Sequence, residues 1–142
     1  ERAIDAGRGL VVGSGVYPSV SEMCAIGADG RARCGGTGPL GDPFDLAPVD
    51  GLALVHGRVW ALVREEVWTF EWRRRGTSVR VDGVGDAVAI TSVQEGGDPP
   101  SLCATLGSGE VWCWGRNSLG ELGDGLGGSS VAIPVTVLHL PR

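Results

Sequence analysis

The sequence lacks lysine, has few aromatic residues and contains no long apolar run. All 12 basic residues are arginine, 6% of the residues are aromatic, and the formal net charge is −5. This acidic balance argues against nucleic acid as the main partner, because phosphate binding requires a basic surface. No uninterrupted stretch of about 18 apolar residues occurs, so we predict that no segment spans a membrane.

Glycine and proline, by contrast, are abundant and leave no long stretch free of helix breakers. The 142 residues include 25 glycines and 8 prolines. Valine, leucine and tryptophan stand between them in short runs, a pattern that is typical of short β-strands joined by turns. The composition therefore predicts a globular all-β chain with little helix, and 42% hydrophobic residues suffice for a core.

One sequence pattern occurs twice in the chain, and the two copies align without a gap. Residues 24–36, CAIGADGRARCGG, align with residues 103–115, CATLGSGEVWCWG, and both copies read as strand, tight turn and strand. We expect three-residue loops at 28–30 and 107–109. The third residue of each loop is glycine, which adopts the left-handed backbone of such a turn without steric cost.

The four cysteines are predicted to form two structural disulfides. Counting outward from the turns pairs Cys24 with Cys34 and Cys103 with Cys113, at sites where opposed side chains come closest. Each bridge closes a loop of about 11 residues, which corresponds to roughly 2.5–3 kcal/mol of stabilisation in the chain-entropy model. Structural disulfides predict an oxidising, extracytoplasmic location: secreted, periplasmic or at the cell surface.

Catalytic, metal-binding and cofactor-binding roles are disfavoured. A redox dithiol normally has two residues between its cysteines, and structural zinc needs four converging ligands, whereas His56 and His139 are isolated. Residues 123–128 match the GxGxxG pattern of dinucleotide sites, but the segment around Pro134 alternates like a strand where that motif requires a helix. We therefore predict no catalytic residue, no metal site and no cofactor.

A third hairpin, without cysteine, is predicted in the middle of the chain. Residues 60–70, WALVREEVWTF, have the same length and the same strand-turn-strand pattern. Trp60 and Phe70 occupy the two cysteine positions. We expect the two rings to face each other across the hairpin, so that an aromatic pair replaces the disulfide.

Glycine-rich segments and Val-Asp-Gly or Pro-Val junctions follow the hairpins and give repeat units of approximately 5–49, 50–81 and 82–137. The segment CATLGSGEVWCWGRNSLGELGDG, followed by IPV, resembles the repeat of the regulator-of-chromosome-condensation family. The form with cysteines on both strands is similar to repeats of bacterial members. Glu121 stands where the motif usually has glutamine, and the middle unit lacks the Trp-Gly-x-Asn loop.

The resemblance implies a β-propeller, which in this family typically has seven four-stranded blades. Three units make about three blades, so residues 1–142 are expected to be a single section of a larger propeller. Each blade of such a structure buries both faces against neighbours, and an isolated arc leaves faces and edges in water. We therefore expect that the chain is not a lone monomer and that Leu138 and Leu140 pack against protein outside this segment.

The sequence leaves two classes of function open. Family members include a nucleotide exchange factor, a light sensor and a β-lactamase inhibitor, so the fold does not transfer an activity. We favour a non-catalytic protein-binding module on a secreted or surface propeller, whose partner is a protein or another propeller section. The alternative is a secreted hydrolase with an active site on a propeller face.

Candidate binding residues are the tryptophans and arginines that we predict to be exposed, because these residue types supply most interface hot spots. Packing between blades is the alternative for the tryptophans, and a solvated loop is the alternative for the arginine run. The candidates are Trp68, Trp72, Arg73, Arg74, Arg75 and Arg116.

Overall fold

A computed structural model of the chain describes residues 10–14, 21–36, 41–55, 57–74, 77–93, 100–128 and 131–137. All regular structure in these ranges is β-strand, and none of it is a helix that could cross a membrane. The strands are β1 (Leu10–Ser14), β2 (Ser21–Ile26), β3 (Ala32–Gly35), β4 (Gly51–Val55), β5 (Arg58–Val63), β6 (Glu66–Glu71), β7 (Val79–Arg80), β8 (Ala87–Val93), β9 (Ser101–Leu106), β10 (Val111–Gly115) and β11 (Val131–Thr136).

The strands form three antiparallel sheets that follow one another along the chain. The first sheet contains β1–β3, the second β4–β7 and the third β8–β11, each with its strands in sequence order. Residues 41–49 extend the first sheet at its outer edge, where the amides of Gly41 and Phe44 donate to the carbonyls of Cys34 and Ala32. This segment takes the place of a fourth strand. The exact bounds of the repeat units remain a prediction.

The turns of the two cysteine hairpins are those that the glycine spacing predicts. In the first hairpin, the Gly30 amide donates to the Gly27 carbonyl, and the Gly27 amide donates to the Arg31 carbonyl. The second hairpin repeats both hydrogen bonds. Gly30 and Gly109 have φ angles of 74° and 91°, in the left-handed region that favours glycine.

Both predicted disulfides are present. Cys24 lies opposite Cys34, and Cys103 lies opposite Cys113. The Cα atoms of each pair are 4.1 Å apart, the close spacing that is typical of a non-hydrogen-bonded pair in an antiparallel sheet. The pairing prediction is confirmed for all four cysteines.

The prediction for the middle hairpin is wrong by one residue. Val59 lies opposite Phe70, and Trp60 lies opposite Thr69. The hairpin closes with a two-residue turn at 64–65, where both residues have positive φ angles of 48° and 67°, as a type I′ turn requires. Because this turn is one residue shorter than expected, Trp60 and Phe70 point to opposite faces of the sheet.

Two apolar clusters hold the sheets face to face. The first cluster joins the first sheet to the second and includes Cys24, Cys34, Leu54, Val59 and Phe70. The second cluster joins the second sheet to the third and includes Val55, Trp60, Leu62, Leu102 and Trp114. The second sheet is therefore buried on both faces, as expected for an internal blade, and each fully buried large side chain contributes about 1.5–3 kcal/mol.

The turns after β2, β5 and β9 lie at one rim of the stack, together with the linker before β8. The Ala87 amide donates to the Glu65 carbonyl in the turn of the second sheet, and the Gly107 amide donates to Asp86. These bonds tie the linker before β8 to two successive turns. Since β6 and β10 both run away from this rim, the segments that follow them begin at the opposite rim, and the segment after β10 then returns along the sheet to Val137. We call residues 57, 72–74 and 116–128 the loop rim.

Candidate binding surface

The structure places the predicted binding residues at different positions. Trp68 lies within β6, while Trp72, Arg73 and Arg74 follow that strand at the loop rim, and Arg116 follows β10 at the same rim. Arg75 lies outside the described residues, as do His56, His139, Leu138 and Leu140. Four of the candidates thus follow strands that end at the same rim, three on the second sheet and one on the third.

Both candidate tryptophans take part in packing between sheets. Trp68 and Trp72 are half-buried against the first apolar cluster. The Trp72 amide donates to the Gly57 carbonyl, which fixes the start of the loop. The Arg73 guanidinium lies 5.5 Å from the centre of the Trp72 ring, within the range of a cation–π contact. The binding role of the tryptophans stays a prediction, since packing between the first and second sheets already buries part of each indole.

Arg73 is held by a buried carboxylate that the sequence reasoning missed. The Glu22 side chain is 2% exposed, yet it lies on the first sheet and accepts a hydrogen bond of 2.7 Å from Arg73 Nε. Its other oxygen accepts the Gly57 amide at 2.8 Å. A buried charge is costly unless it is paired in this way. The pair joins the first sheet to the loop rim of the second. The sequence signal for this buried carboxylate is a charged residue near the start of a strand that is otherwise mostly apolar.

Arg74 and Arg116 have weaker partners at the surface. Arg74 is largely exposed, with Nε 3.4 Å from a Glu71 oxygen. Arg116 Nε lies 3.3 Å from a Glu121 oxygen and donates to the Ser118 hydroxyl at 2.6 Å. Exposed ion pairs contribute little to stability, because water and salt screen them. A protein surface that brought a better-placed carboxylate would therefore meet little competition at Arg74.

A buried asparagine organises the loop at 116–128. The Asn117 side-chain oxygen accepts the Leu122 amide at 3.1 Å, while its nitrogen donates to Asp124 at 3.2 Å and to the Leu126 carbonyl at 3.0 Å. Buried amide groups are normally satisfied in this manner. The loop therefore folds around one side chain, which explains the physical role of asparagine in the Trp-Gly-x-Asn motif. The GxGxxG segment lies in this loop, between two strands.

Glu121 supports the same loop, although the motif usually has glutamine there. Its carboxylate accepts the Leu119 amide at 2.7 Å and the Ser118 hydroxyl at 3.3 Å. These hydrogen bonds, the Leu119 amide above all, and the positive charge of Arg116 lower the pKa of Glu121 below its usual value. Since a glutamine oxygen can accept the same amide, this departure from the motif preserves the loop.

Two leucines stand out from this fixed loop. Leu119 is 82% exposed and Leu126 is 72% exposed. Together with Val137 and the backbone of several glycines, they line an open groove of about 680 Å³. Large apolar side chains that a structured loop holds in water are a mark of interaction sites. Motif matching did not identify this groove, because the exposure of each leucine depends on how the whole loop folds.

The third sheet turns its disulfide away from the rest of the chain. Leu102 and Trp114 belong to the cluster that faces the second sheet. Side chains alternate along a strand, so Cys103 and Cys113 point to the opposite face. Thr91 lies beside Cys103 on β8 and is exposed. We call the face that carries Ala89, Thr91, Cys103 and Thr105 the open disulfide face.

The equivalent face of the first sheet is closed. Cys24 is 0% exposed and Cys34 is 4% exposed, because Leu54, Val59 and Phe70 of the second sheet cover them. On the third sheet, by contrast, Cys113 is 2% exposed but Cys103 is half-buried, and Ala89 and Thr91 are exposed. Among the described residues, the same surface of the repeat is thus an interior contact at one end of the stack and partly exposed at the other.

Neither the groove nor the open disulfide face has the composition of a catalytic centre. The groove is lined by leucine, valine, serine and glycine. Within the part of the chain that the structure describes, no group of three or more His, Cys, Asp or Glu residues is arranged to hold a metal ion. The prediction that the chain uses no metal and no cofactor stays a prediction.

Comparison with known proteins identifies the fold. No protein-family model and no curated protein matches the chain. Among solved structures, Prp20p from Saccharomyces cerevisiae matches with a TM-score of 0.62 and 18% identity, over 84% of this chain and 35% of that chain. The same yeast protein, RCC1 (Prp20) bound to Kap60, matches at 0.62 and 17% identity over 85% and 34%. Human WBSCR16 matches at 0.61 and 17% identity over 97% and 40%.

The chain therefore has the fold of part of an RCC1-type β-propeller. This confirms the predicted fold class, a partial propeller built of antiparallel blades, and it agrees with the family resemblance of the repeat motif. The chain spans between 34% and 40% of the length of these solved structures. At such low identity the likeness concerns the fold and carries no activity with it.

Proposed function

We propose that this chain is a non-catalytic protein-binding section of a larger propeller, on a secreted or surface protein. The observation that carries the proposal is the open disulfide face. On the first sheet this surface of the repeat is covered by the second sheet, whereas on the third sheet the described residues Ala89 and Thr91 of the same surface are exposed. A further propeller section, from the same protein or from a partner, is the cover that fits.

The loop rim supplies a second surface, for a protein partner. It combines the Trp72 and Arg73 stack, the exposed guanidinium of Arg74 and the two leucines of the groove. Loops held by a stacked sheet scaffold are common binding surfaces, and arginine and aromatic residues supply most hot spots. Of the other candidate residues, Arg116 follows β10 at the same rim and Trp68 lies within β6.

Known propellers of this fold support a binding role. The work on Prp20p describes its binding properties to Gsp1p and histones, and another structure shows yeast RCC1 bound to Kap60. The hydrolase alternative would require acidic or histidine side chains that converge in one pocket, and no described feature favours it. The two disulfides support an oxidising, extracytoplasmic location, where such bonds persist.

Light scattering over a range of concentrations tests the proposal. The purified chain should show an average mass above its own 14.7 kDa, because the open disulfide face associates with whatever sheet surface is available. Thr91→Arg places a charge on that face and should lower the average mass. Val79→Arg, on the outer strand of the second sheet, is the matched control and should leave it unchanged. A monodisperse species of 14.7 kDa at all concentrations would contradict the proposal.

A further inference from the structure

We infer that the groove beside Val137 is a socket for an aromatic side chain, supplied by a β-sheet of a different sequence that docks on the open disulfide face. The inference deepens the proposed function and rests on it. It names the chemical group that the docking sheet must present, and it assigns a binding role to Leu119 and Leu126.

The first and second sheets already make such a contact. Phe44 lies on the outer edge of the first sheet, and its ring centre is 4.2 Å from that of Phe70 on the second sheet. Phe70 is fully buried in the cluster that covers the Cys24–Cys34 disulfide. An aromatic ring from one sheet therefore seals the outer edge of the disulfide face of its neighbour.

Val137 is the structural counterpart of Phe44. The Phe44 amide donates to the carbonyl of Ala32, and the Val137 amide donates to the carbonyl of Val111, each at 2.9 Å. Each acceptor lies two residues before the second cysteine of its hairpin. When the two disulfides are matched, Val137 thus holds the outer-edge position from which Phe44 contacts Phe70, and the groove lies where a neighbour's ring would be.

The groove has the shape and composition for a ring. Val137 is smaller than phenylalanine, and the Gly123 backbone approaches it so closely that a Cβ at 123 would lie 3.2 Å from the valine methyl. Leu119 and Leu126 rise beside this floor as two apolar walls. Burying an aromatic ring here would also remove both leucines from water, and aromatic burial is the largest apolar contribution available at interfaces.

Among the residues that the structure describes, a second copy of this chain does not present the required ring. Phe70 follows Thr69, which takes the place of the second cysteine in the middle hairpin, and Phe70 is buried in its own chain. In a head-to-tail pair of copies, the docking face would belong to the first sheet. There the residue after the second cysteine is Gly35, beside the charged Arg33. The occupant is therefore a sheet of another sequence.

Photo-crosslinking of the whole chain tests the inference. The probe is a cyclic hairpin peptide of residues 57–72 in which benzoylphenylalanine replaces Phe70. Its photoreactive ring therefore takes the position of the aromatic side chain that is proposed to enter the groove. Mass spectrometry should locate the crosslinks on Leu119, Leu126 or Val137. Unlabelled peptide should suppress this labelling at a concentration at least tenfold lower than the same peptide with Phe70→Ala.

Two glycine variants provide matched controls. Gly127 lines the groove, and its added Cβ would meet no atom closer than 4.0 Å, so Gly127→Val adds apolar bulk beside the groove and should reduce labelling at least fivefold. Gly85, at the opposite rim, also has space for a side chain, and Gly85→Val should leave labelling unchanged.

Two results would overturn the inference. They are crosslinks outside residues 118–137 and equal competition by the Phe70→Ala peptide. A chain that associates in light scattering but gives any of these results would leave the proposed function standing and remove the aromatic socket alone.

Discussion

Phe70 anchors the contact between the first two sheets, and replacing it with alanine should cost a large part of the stability of the chain. The ring is fully buried, packs on Phe44 at 4.2 Å and belongs to the cluster around the first disulfide. Phenylalanine-to-alanine changes at such sites lose both the transfer free energy of the ring and the contacts around the cavity, together about 3–5 kcal/mol.

This loss can be compared with the total folding free energy of the chain. At roughly 0.05–0.15 kcal/mol per residue, a chain of this length has about 7–20 kcal/mol of folding free energy, so the substitution removes a substantial fraction of it. With a urea slope of about 1–3 kcal/mol/M, the unfolding midpoint should fall by roughly 1–5 M. Part of the effect belongs to the ring pair itself, for which a double-mutant cycle with Phe44→Ala should give a coupling of about 0.5–1.5 kcal/mol.

Urea unfolding followed by tryptophan fluorescence measures the effect. Val79→Ala, at an exposed position on the outer strand of the same sheet, is the control and should change stability by less than about 0.5 kcal/mol. If Phe70→Ala and Val79→Ala unfold at the same urea concentration, Phe70 does not fill the space between the sheets, and the stacking of the first two blades is wrong.

The remaining predictions concern the Glu22–Arg73 ion pair, the loop at 116–128 and the disulfides. Glu22→Ala should cost about 1–3 kcal/mol in the same assay, because a buried backbone amide loses its acceptor, whereas Arg73→Ala should cost more, because it leaves the buried Glu22 carboxylate without its cation; a smaller loss for Arg73→Ala would argue against this accounting. Asn117→Ala should leave the free energy of unfolding within about 3 kcal/mol of that of the wild type, but it should make the loop at 116–128 the first site of limited proteolysis. An unchanged cleavage pattern would refute the organising role of Asn117. Non-reducing mass spectrometry should find disulfides only within each hairpin; a Cys24–Cys103 link would contradict the fold.

The cysteine hairpins could be predicted because their geometry is encoded locally. A three-residue turn with glycine at its third position fixes the register, and the register fixes which cysteines meet. The middle hairpin could not be placed in the same way. Its turn uses Arg64 and Glu65 in left-handed conformations, which these residue types adopt rarely, so nothing in their identity indicated the shorter turn.

The binding surface was less accessible to sequence reasoning, because it depends on contacts between distant residues. Arg73 meets Glu22 across 51 residues of sequence, and only the stacking of two sheets brings them together. Trp68 was predicted to be exposed, but the same stacking half-buries it. The exposure of Leu119 and Leu126 follows from a loop that folds around one asparagine, an arrangement that local patterns do not specify.

The rates at which the two disulfides are reduced test the central claim most directly. Dilute chain is treated with dithiothreitol, quenched by isotope-coded alkylation and analysed by mass spectrometry. If the first disulfide face is covered by a sheet and the third is open, Cys103–Cys113 should be reduced at least tenfold faster than Cys24–Cys34, because Cys103 is partly accessible and both cysteines of the other pair are buried. Equal rates, or faster reduction of Cys24–Cys34, would contradict the arrangement of one closed and one open blade face.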